Sequence, residues 1–214
     1  LYKFGFGNKT YVDLYGEQSG LIPDRAWKSK TKQLPWYPGE TLNIGIGQGY
    51  FLTTPMQLTL GTAVLAGDGK TYLPHLLLGS KNKTSGEFLG YEHSENEFEA
   101  DIEDHGYLDI IQHAMWRVVN EKRVGTASHL GKIGGVEIAG KTGTAQVYNL
   151  DKGKTGTKKL QDHALFISYA PFNNPEIVVT VVVENGGSGS GTAAPIAKSI
   201  IKYYFKNQKQ ASLK

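Results

Sequence analysis

The chain has 214 residues, 39% of them apolar and 20% charged, with a net charge of +3, which describes a globular protein able to bury a core and excludes a disordered one. Its lysines are scattered over loops and the C-terminus without interleaved aromatics, which argues against nucleic-acid binding, and the absence of cysteine excludes disulfides and thiolate zinc sites. The longest apolar run, Ile177 to Val183, has seven residues, far short of the ~20 of a membrane helix.

The chain opens on Leu1-Tyr2-Lys3-Phe4-Gly5, without an initiator methionine or a signal peptide, and reads as the middle of a domain. Residues 1–40 are loop-rich, punctuated by Gly5, Gly7, Gly16, Gly20, Pro23, Pro35 and Pro38, with one short helix around Asp24 to Lys28. Leu42 to Tyr50 alternates glycine with other residues, a weak signal for a nucleotide without a strand–helix unit behind it. Thr54 caps a helix with Pro55 at its first position and Gly67 beyond its end, burying Leu58, Leu60, Val64 and Leu65. Thr71 to Leu78 is extended, and Pro74 makes it an edge or interrupted strand. Residues 79–104 read as a polar connection.

A helix from Gly106 to Asn120 carries Leu108, Ile111, Met115, Val118 and Val119 at helical spacing. Gly125-Thr126-Ala127-Ser128 closes it into a turn and a short helix. Strands follow at Val136 to Val147, His163 to Ala170 and Ile177 to Glu184, the last two joined by the turn-rich segment Pro171 to Glu176. The last helix starts at Thr192 or Ala193, with Pro195 in its first turn and Ile196, Ile200, Ile201, Tyr204 and Phe205 on one face. The order predicts an α+β fold, an antiparallel sheet covered by helices. It is taken as one domain with a loop-rich, helical part (1–135) and a part holding the three strands and terminal helix (136–214).

The chemistry concentrates in Gly140-Lys141-Thr142-Gly143-Thr144, which puts a cation, two hydroxyls and a residue without a side chain on a strand, a set suited to holding a carboxylate. Gly135 to Thr142 also matches the phosphate-loop pattern. That motif needs a helix beginning at the lysine, whereas Val136 to Ala139 alternates like a strand and Val147-Tyr148 is β-like. Lys154-Thr155-Gly156-Thr157 repeats the motif inside a lysine-rich polar stretch that reads as a solvated hairpin loop.

Ala139-Gly140-Lys141-Thr142-Gly143-Thr144-Ala145-Gln146 resembles the third motif of the penicillin-binding transpeptidases. Ile44 to Tyr50 running into Thr54-Pro55-Met56-Gln57, Asp162 to Phe166, and Val183 to Gly187 leading to Ala193 to Ala197 resemble the elongation-specific class B members, the penicillin-binding protein 2 type. The resemblance spans nearly the whole chain in order. It implies the transpeptidase and serine β-lactamase-like fold, incomplete without an upstream segment. Such enzymes use Ser-x-x-Lys, then Ser-x-Asn, then Lys-Thr-Gly. Ser29 to Lys32, Ser80 to Asn82 and Ser199 to Lys202 imitate the first two motifs but are read as decoys. Ser29 sits among lysines with no apolar flank, Ser80 in a polar turn, and Ser199 after the third motif. The nucleophile and its lysine are therefore expected upstream of these residues.

The resemblance assigns Lys141 the positive charge near the substrate carboxylate and the nucleophile, and Thr142 and Thr144 the hydroxyls that bind that carboxylate. It makes Gly143 the gap for the acyl chain and the Thr144 N–H one of two oxyanion donors. It implies acyl transfer from D-Ala-D-Ala stem peptides of peptidoglycan, trapping by β-lactam antibiotics, and no metal or cofactor. It further implies an N-terminal anchor in the bacterial inner membrane, action on its periplasmic face, and work with a membrane glycosyltransferase and other elongation proteins. The six histidines lack zinc-ligand spacing; His163 stands at a strand start near the motif. The alternatives are a nucleotide-binding protein using Gly135 to Thr142 and a non-catalytic β-lactam-sensing domain.

Overall fold

The computed structural model describes residues 1–90, 97–146 and 161–211. They form two compact units, one of Leu1–Val64 with Gly69–Ile102, the other of Leu65–Asp68 with Glu103–Lys214. Among the described residues no helix is long and apolar enough to cross a membrane.

In the first unit, helix α1 (Arg25–Lys32) begins where the Asp24 carboxylate accepts the Trp27 N–H at 2.6 Å, a side-chain cap. A second helix, α2 (Pro38–Gly45), occupies residues whose glycines and prolines predict irregular chain. Pro38 stands in its first turn, and the Glu40 carboxylate reaches back to the Tyr37 N–H at 2.8 Å, which together start a helix the glycine spacing conceals. The same Glu40 oxygen accepts from Lys28 Nζ at 2.6 Å. Lys28 is only 2% exposed, with its ammonium 4.2 Å from the centre of the Tyr37 ring. This lysine-rich helix thus buries one of its own charges, because a carboxylate and an aromatic face replace the water it loses.

Helix α3 (Pro55–Ala66) follows its punctuation: Thr54 Oγ1 accepts the Gln57 N–H at 3.1 Å, and Leu60, Val64 and Leu65 are buried. Strand β1 (Lys70–Tyr72) stops short of Pro74. The segment read as a polar connection carries β2 (Gly79–Lys81), β3 (Phe88–Gly90) and β4 (Glu97–Glu99); β1 pairs with β4 and β2 with β3, all antiparallel. Three-residue strands are too short to show a two-residue hydrophobic period.

In the second unit, α4 (Gly106–Asn120) has the limits its periodicity predicts and buries Leu108, Met115 and Val119, but Ile111 is 45% exposed. Strands β5 (Ala139–Ala145), β6 (His163–Ala170) and β7 (Ile177–Val183) make an antiparallel sheet in the order β5-β6-β7. The first starts three residues later than expected, since Val136 hydrogen-bonds back to Ile133 in both directions across Gly134 and Gly135. Both glycines have positive φ, which makes this a reverse turn rather than the head of the strand. Val147 lies outside the described residues.

A π-helical turn (Gly189–Ala193) leads into α5 (Ala194–Ala211). Phe166, Val179 and Val181 of the sheet, Ala194, Ala197 and Ile201 of α5, and Val119 and Ile138 share one hydrophobic core. The predicted face of α5 divides. Ile201 is fully buried, whereas Ile196 and Ile200 are 42% and 44% exposed. The two alanines take the inward positions because their small side chains let the helix lie close to the sheet.

Candidate active site

Strand β5 carries the whole Lys141-Thr142-Gly143-Thr144 set and pairs with β6 alone among the described residues, so it is a sheet edge. Lys141 and Gly143 stand opposite Ile167 and Leu165 on one face, Thr142 and Thr144 opposite Phe166 and Ala164 on the other. The exposed Lys141 side chain donates from Nζ to the Thr142 carbonyl at 2.6 Å. The two-residue period turns the Thr144 N–H to the same side as that carbonyl. A phosphate loop is incompatible with this geometry: Lys141 is the third residue of a strand, and no helix begins there. The repeat at 154–157 lies outside the described residues.

The glycines of this strand differ in how tightly they are packed. A Cβ on Gly143 would press on Leu165 Cβ at 3.2 Å, a tight contact, and would meet no atom other than Leu165's within 4 Å. A Cβ on Gly140 would come within 2.5 Å of the Phe166 ring and 2.9 Å of the Ile167 carbonyl oxygen, so this glycine serves packing.

Helix α4 braces the start of β5. The Asn120 side-chain amide donates at 2.8 Å to both the Trp116 and the Ile138 carbonyls. Trp116 Nε1 donates to Glu137 at 2.9 Å, and Lys132 Nζ lies 2.5 Å from the other Glu137 oxygen. The Lys132 hydrogen bond first, and that of Trp116 second, hold the Glu137 carboxyl below its ordinary range. Beyond α4, the Thr126 hydroxyl lies 3.0 Å from the Thr142 hydroxyl.

The four predicted residues therefore lie together on one strand, with Thr126 against Thr142 and Asn120 fastened to Ile138 at the strand's head. His163, opposite Ala145, accepts the Asn185 N–H on Nδ1 at 2.9 Å, which ties the start of β6 to the turn after β7. The serine decoys occupy ordinary positions. Ser29 is exposed on α1, and the Ser199 hydroxyl donates to the Pro195 carbonyl of its own helix at 3.0 Å. Ser80 belongs to strand β2, paired with Leu89, rather than to a turn; the turn starts at Asn82, whose side chain accepts the Thr84 N–H at 2.8 Å. Thr126 has only a local sequence signal, the Gly-Thr-Ala that follows the helix, which says nothing about its partner sixteen residues on.

An antiparallel sheet under a C-terminal helix, with Lys-Thr-Gly-Thr on an edge strand, defines a protein of the penicillin-binding transpeptidase class. Residues 1–202 match the penicillin binding protein transpeptidase domain, and the chain belongs to that family. It is 36% identical over 214 residues to the peptidoglycan D,D-transpeptidase MrdA of Salmonella typhimurium, covering 97% of this chain and 34% of that protein. The chain thus spans about a third of the length of that curated relative. Among solved structures it is similar to PBP2 of Pseudomonas aeruginosa in complex with WCK 5153, at 43% identity and a TM-score of 0.76 over 95% of this chain and 42% of that one. The PBP2 of Helicobacter pylori, in a complex with MreC, is 32% identical with a TM-score of 0.78, covering 95% of this chain and 34% of that one.

Proposed function

We propose that these residues form the carboxylate-binding side of the active site of a peptidoglycan D,D-transpeptidase that works through a serine acyl-enzyme. The observation that carries this reading is the Lys141-Thr142-Gly143-Thr144 set on the exposed edge of β5. The serine and its lysine base would come from residues outside the 214. The serine oxygen attacks the penultimate carbonyl of a D-Ala-D-Ala stem peptide, the peptide C–N bond breaks, and D-alanine leaves with a proton. An amine of a neighbouring strand then displaces the ester and restores the serine hydroxyl.

In this scheme Lys141 supplies charge next to the carboxylate and the nucleophile, and the hydroxyls of Thr142 and Thr144 hydrogen-bond the carboxylate. Gly143 admits the acyl chain, and the Thr144 N–H stabilises the oxyanion. β-Lactams would acylate the same serine. The likeness to MrdA and to the PBP2 that is complexed with MreC supports work in cell elongation with an MreC-like partner; a membrane glycosyltransferase would supply the strands to be cross-linked. In this reading the protein acts on the periplasmic face of the inner membrane, under an N-terminal anchor.

Labelling with a fluorescent penicillin tests this. The full-length protein should take up the label on a serine outside these residues, and Lys141→Ala should slow acylation by about 100-fold. The 214 residues alone should take up none. An adduct on Ser29, Ser80 or Ser199, or undiminished labelling of Lys141→Ala, would sink the reading.

A further inference from the structure

We propose that Thr126 is a positioning residue for carboxylate recognition, acting through the hydroxyl of Thr142. The inference deepens the transpeptidase reading and rests on it. Its basis is the 3.0 Å separation of the two hydroxyl oxygens, sixteen residues apart in the chain, between a turn and the edge strand.

The turn that carries Thr126 is built to hold it still. The Gly125 N–H donates to the Glu121 carbonyl at 2.8 Å, the Ala127 N–H to the Val118 carbonyl at 3.0 Å, and the Ser128 N–H to the Gly125 carbonyl at 3.1 Å. Ala127 is fully buried. A Cβ on Gly125 would stand 2.5, 2.6 and 2.8 Å from the Val118, Arg117 and Glu121 carbonyl oxygens, so the backbone lies directly against the end of α4. That helix is in turn fastened to Ile138, at the head of β5, through Asn120. One rigid support therefore fixes both hydroxyls.

The chemistry gives the contact a direction. A carboxylate only accepts hydrogen bonds, so Thr142 must donate its proton to bind one. Its oxygen then needs a donor, and Thr126 Oγ1–H lies within reach. The chain Thr126 to Thr142 to carboxylate polarises along its length, which strengthens the terminal bond and fixes the Thr142 side chain in one rotamer. Without Thr126 the Thr142 hydroxyl turns freely and loses part of its hold on the anion, but not on a neutral ligand.

The test uses the full-length protein and two probes, benzylpenicillin and its methyl ester, which lacks the anion. Thr126→Val should lower the second-order acylation constant for benzylpenicillin about tenfold, through weaker initial binding, while changing that for the ester by less than about twofold. Thr126→Ser, which keeps the hydroxyl, should stay within about twofold for both probes. Combining Thr126→Val with Thr142→Val should give no more loss than Thr142→Val alone. Thr126→Ala repeats the comparison without added bulk, and thermal unfolding midpoints should match wild type. If wild type is not acylated, the transpeptidase reading falls and this proposal with it. If wild type is acylated but Thr126→Val and Thr126→Ala react normally, or slow both probes equally, the proposal alone falls.

Discussion

Gly189 lies flat against Gly143. A Cβ on Gly189 would stand 2.4 Å from the Gly143 carbonyl oxygen, 3.0 Å from its nitrogen and 2.5 Å from the Leu165 carbonyl oxygen. All three are backbone atoms of the β5–β6 pair, so no side-chain rotation can make room. The π-helical turn ahead of α5 is thereby pressed onto the strand that carries Lys141, Thr142 and Thr144.

Gly189→Ala should accordingly push this turn off β5 and destabilise the fold by about 1–3 kcal/mol, the usual range for overpacking. A lower thermal midpoint together with slower β-lactam acylation of the full-length protein is expected. Wild-type values for both would show that the turn gives way without effect.

Asn120 joins α4 to β5 through the Ile138 carbonyl, and Ile138 is almost fully buried. Asn120→Ala leaves that oxygen without the amide, at a cost of roughly 1–3 kcal/mol. Urea unfolding reads the loss directly. A variant as stable as wild type would mean that water satisfies the carbonyl.

Gln57 is a buried polar anchor in the first unit. Its Nε2 donates to the Asn8 and Ser19 carbonyls at 2.7 Å each, and its Oε1 accepts the Thr54 N–H at 3.0 Å. Gln57→Leu keeps the bulk but orphans these groups, and should cost roughly 2–4 kcal/mol in denaturant unfolding. A change within about 0.5 kcal/mol, the ordinary scatter of surface substitutions, would contradict this accounting.

The Glu40 carboxyl is held below its ordinary value of 4.5, first by the Lys28 hydrogen bond and then by the Tyr37 N–H. A depressed folded-state value means that the unfolded chain takes up protons first as the pH drops. The stability from this pair is then complete above the ordinary value and is lost as the pH falls through the lower, folded one. Urea midpoints followed downward from neutral pH should fall less steeply in Glu40→Gln than in wild type, with the curves converging in acid. Parallel curves would show that the Lys28–Glu40 pair has no part in acid unfolding.

Several elements were legible because their signals are local. Thr54 and Pro55 announced α3, the 3.6-residue spacing set the limits of α4, and the apolar runs marked β6 and β7. Helix α2 was hidden because Pro38 and the glycines of residues 39–49 read as breakers, and its start depends on a hydrogen bond from the Tyr37 N–H to the Glu40 carboxylate that only the folded chain displays. The inward face of α5 differs from the one its isoleucines predict, because hydrophobicity favours Ile196 and Ile200, whereas close approach to the sheet favours Ala194 and Ala197.

By itself the sequence determined the family, the α+β class, the order α3, α4, β5, β6, β7, α5 and the strand that carries Lys141, Thr142, Gly143 and Thr144, since a motif and a strand period are properties of neighbouring residues. Only the tertiary structure decided that β5 is an edge strand, that Gly189 presses on Gly143, and that Thr126 meets Thr142. The last two join residues 46 and 16 positions apart. Such contacts follow from how elements pack, and no local pattern in the chain records them.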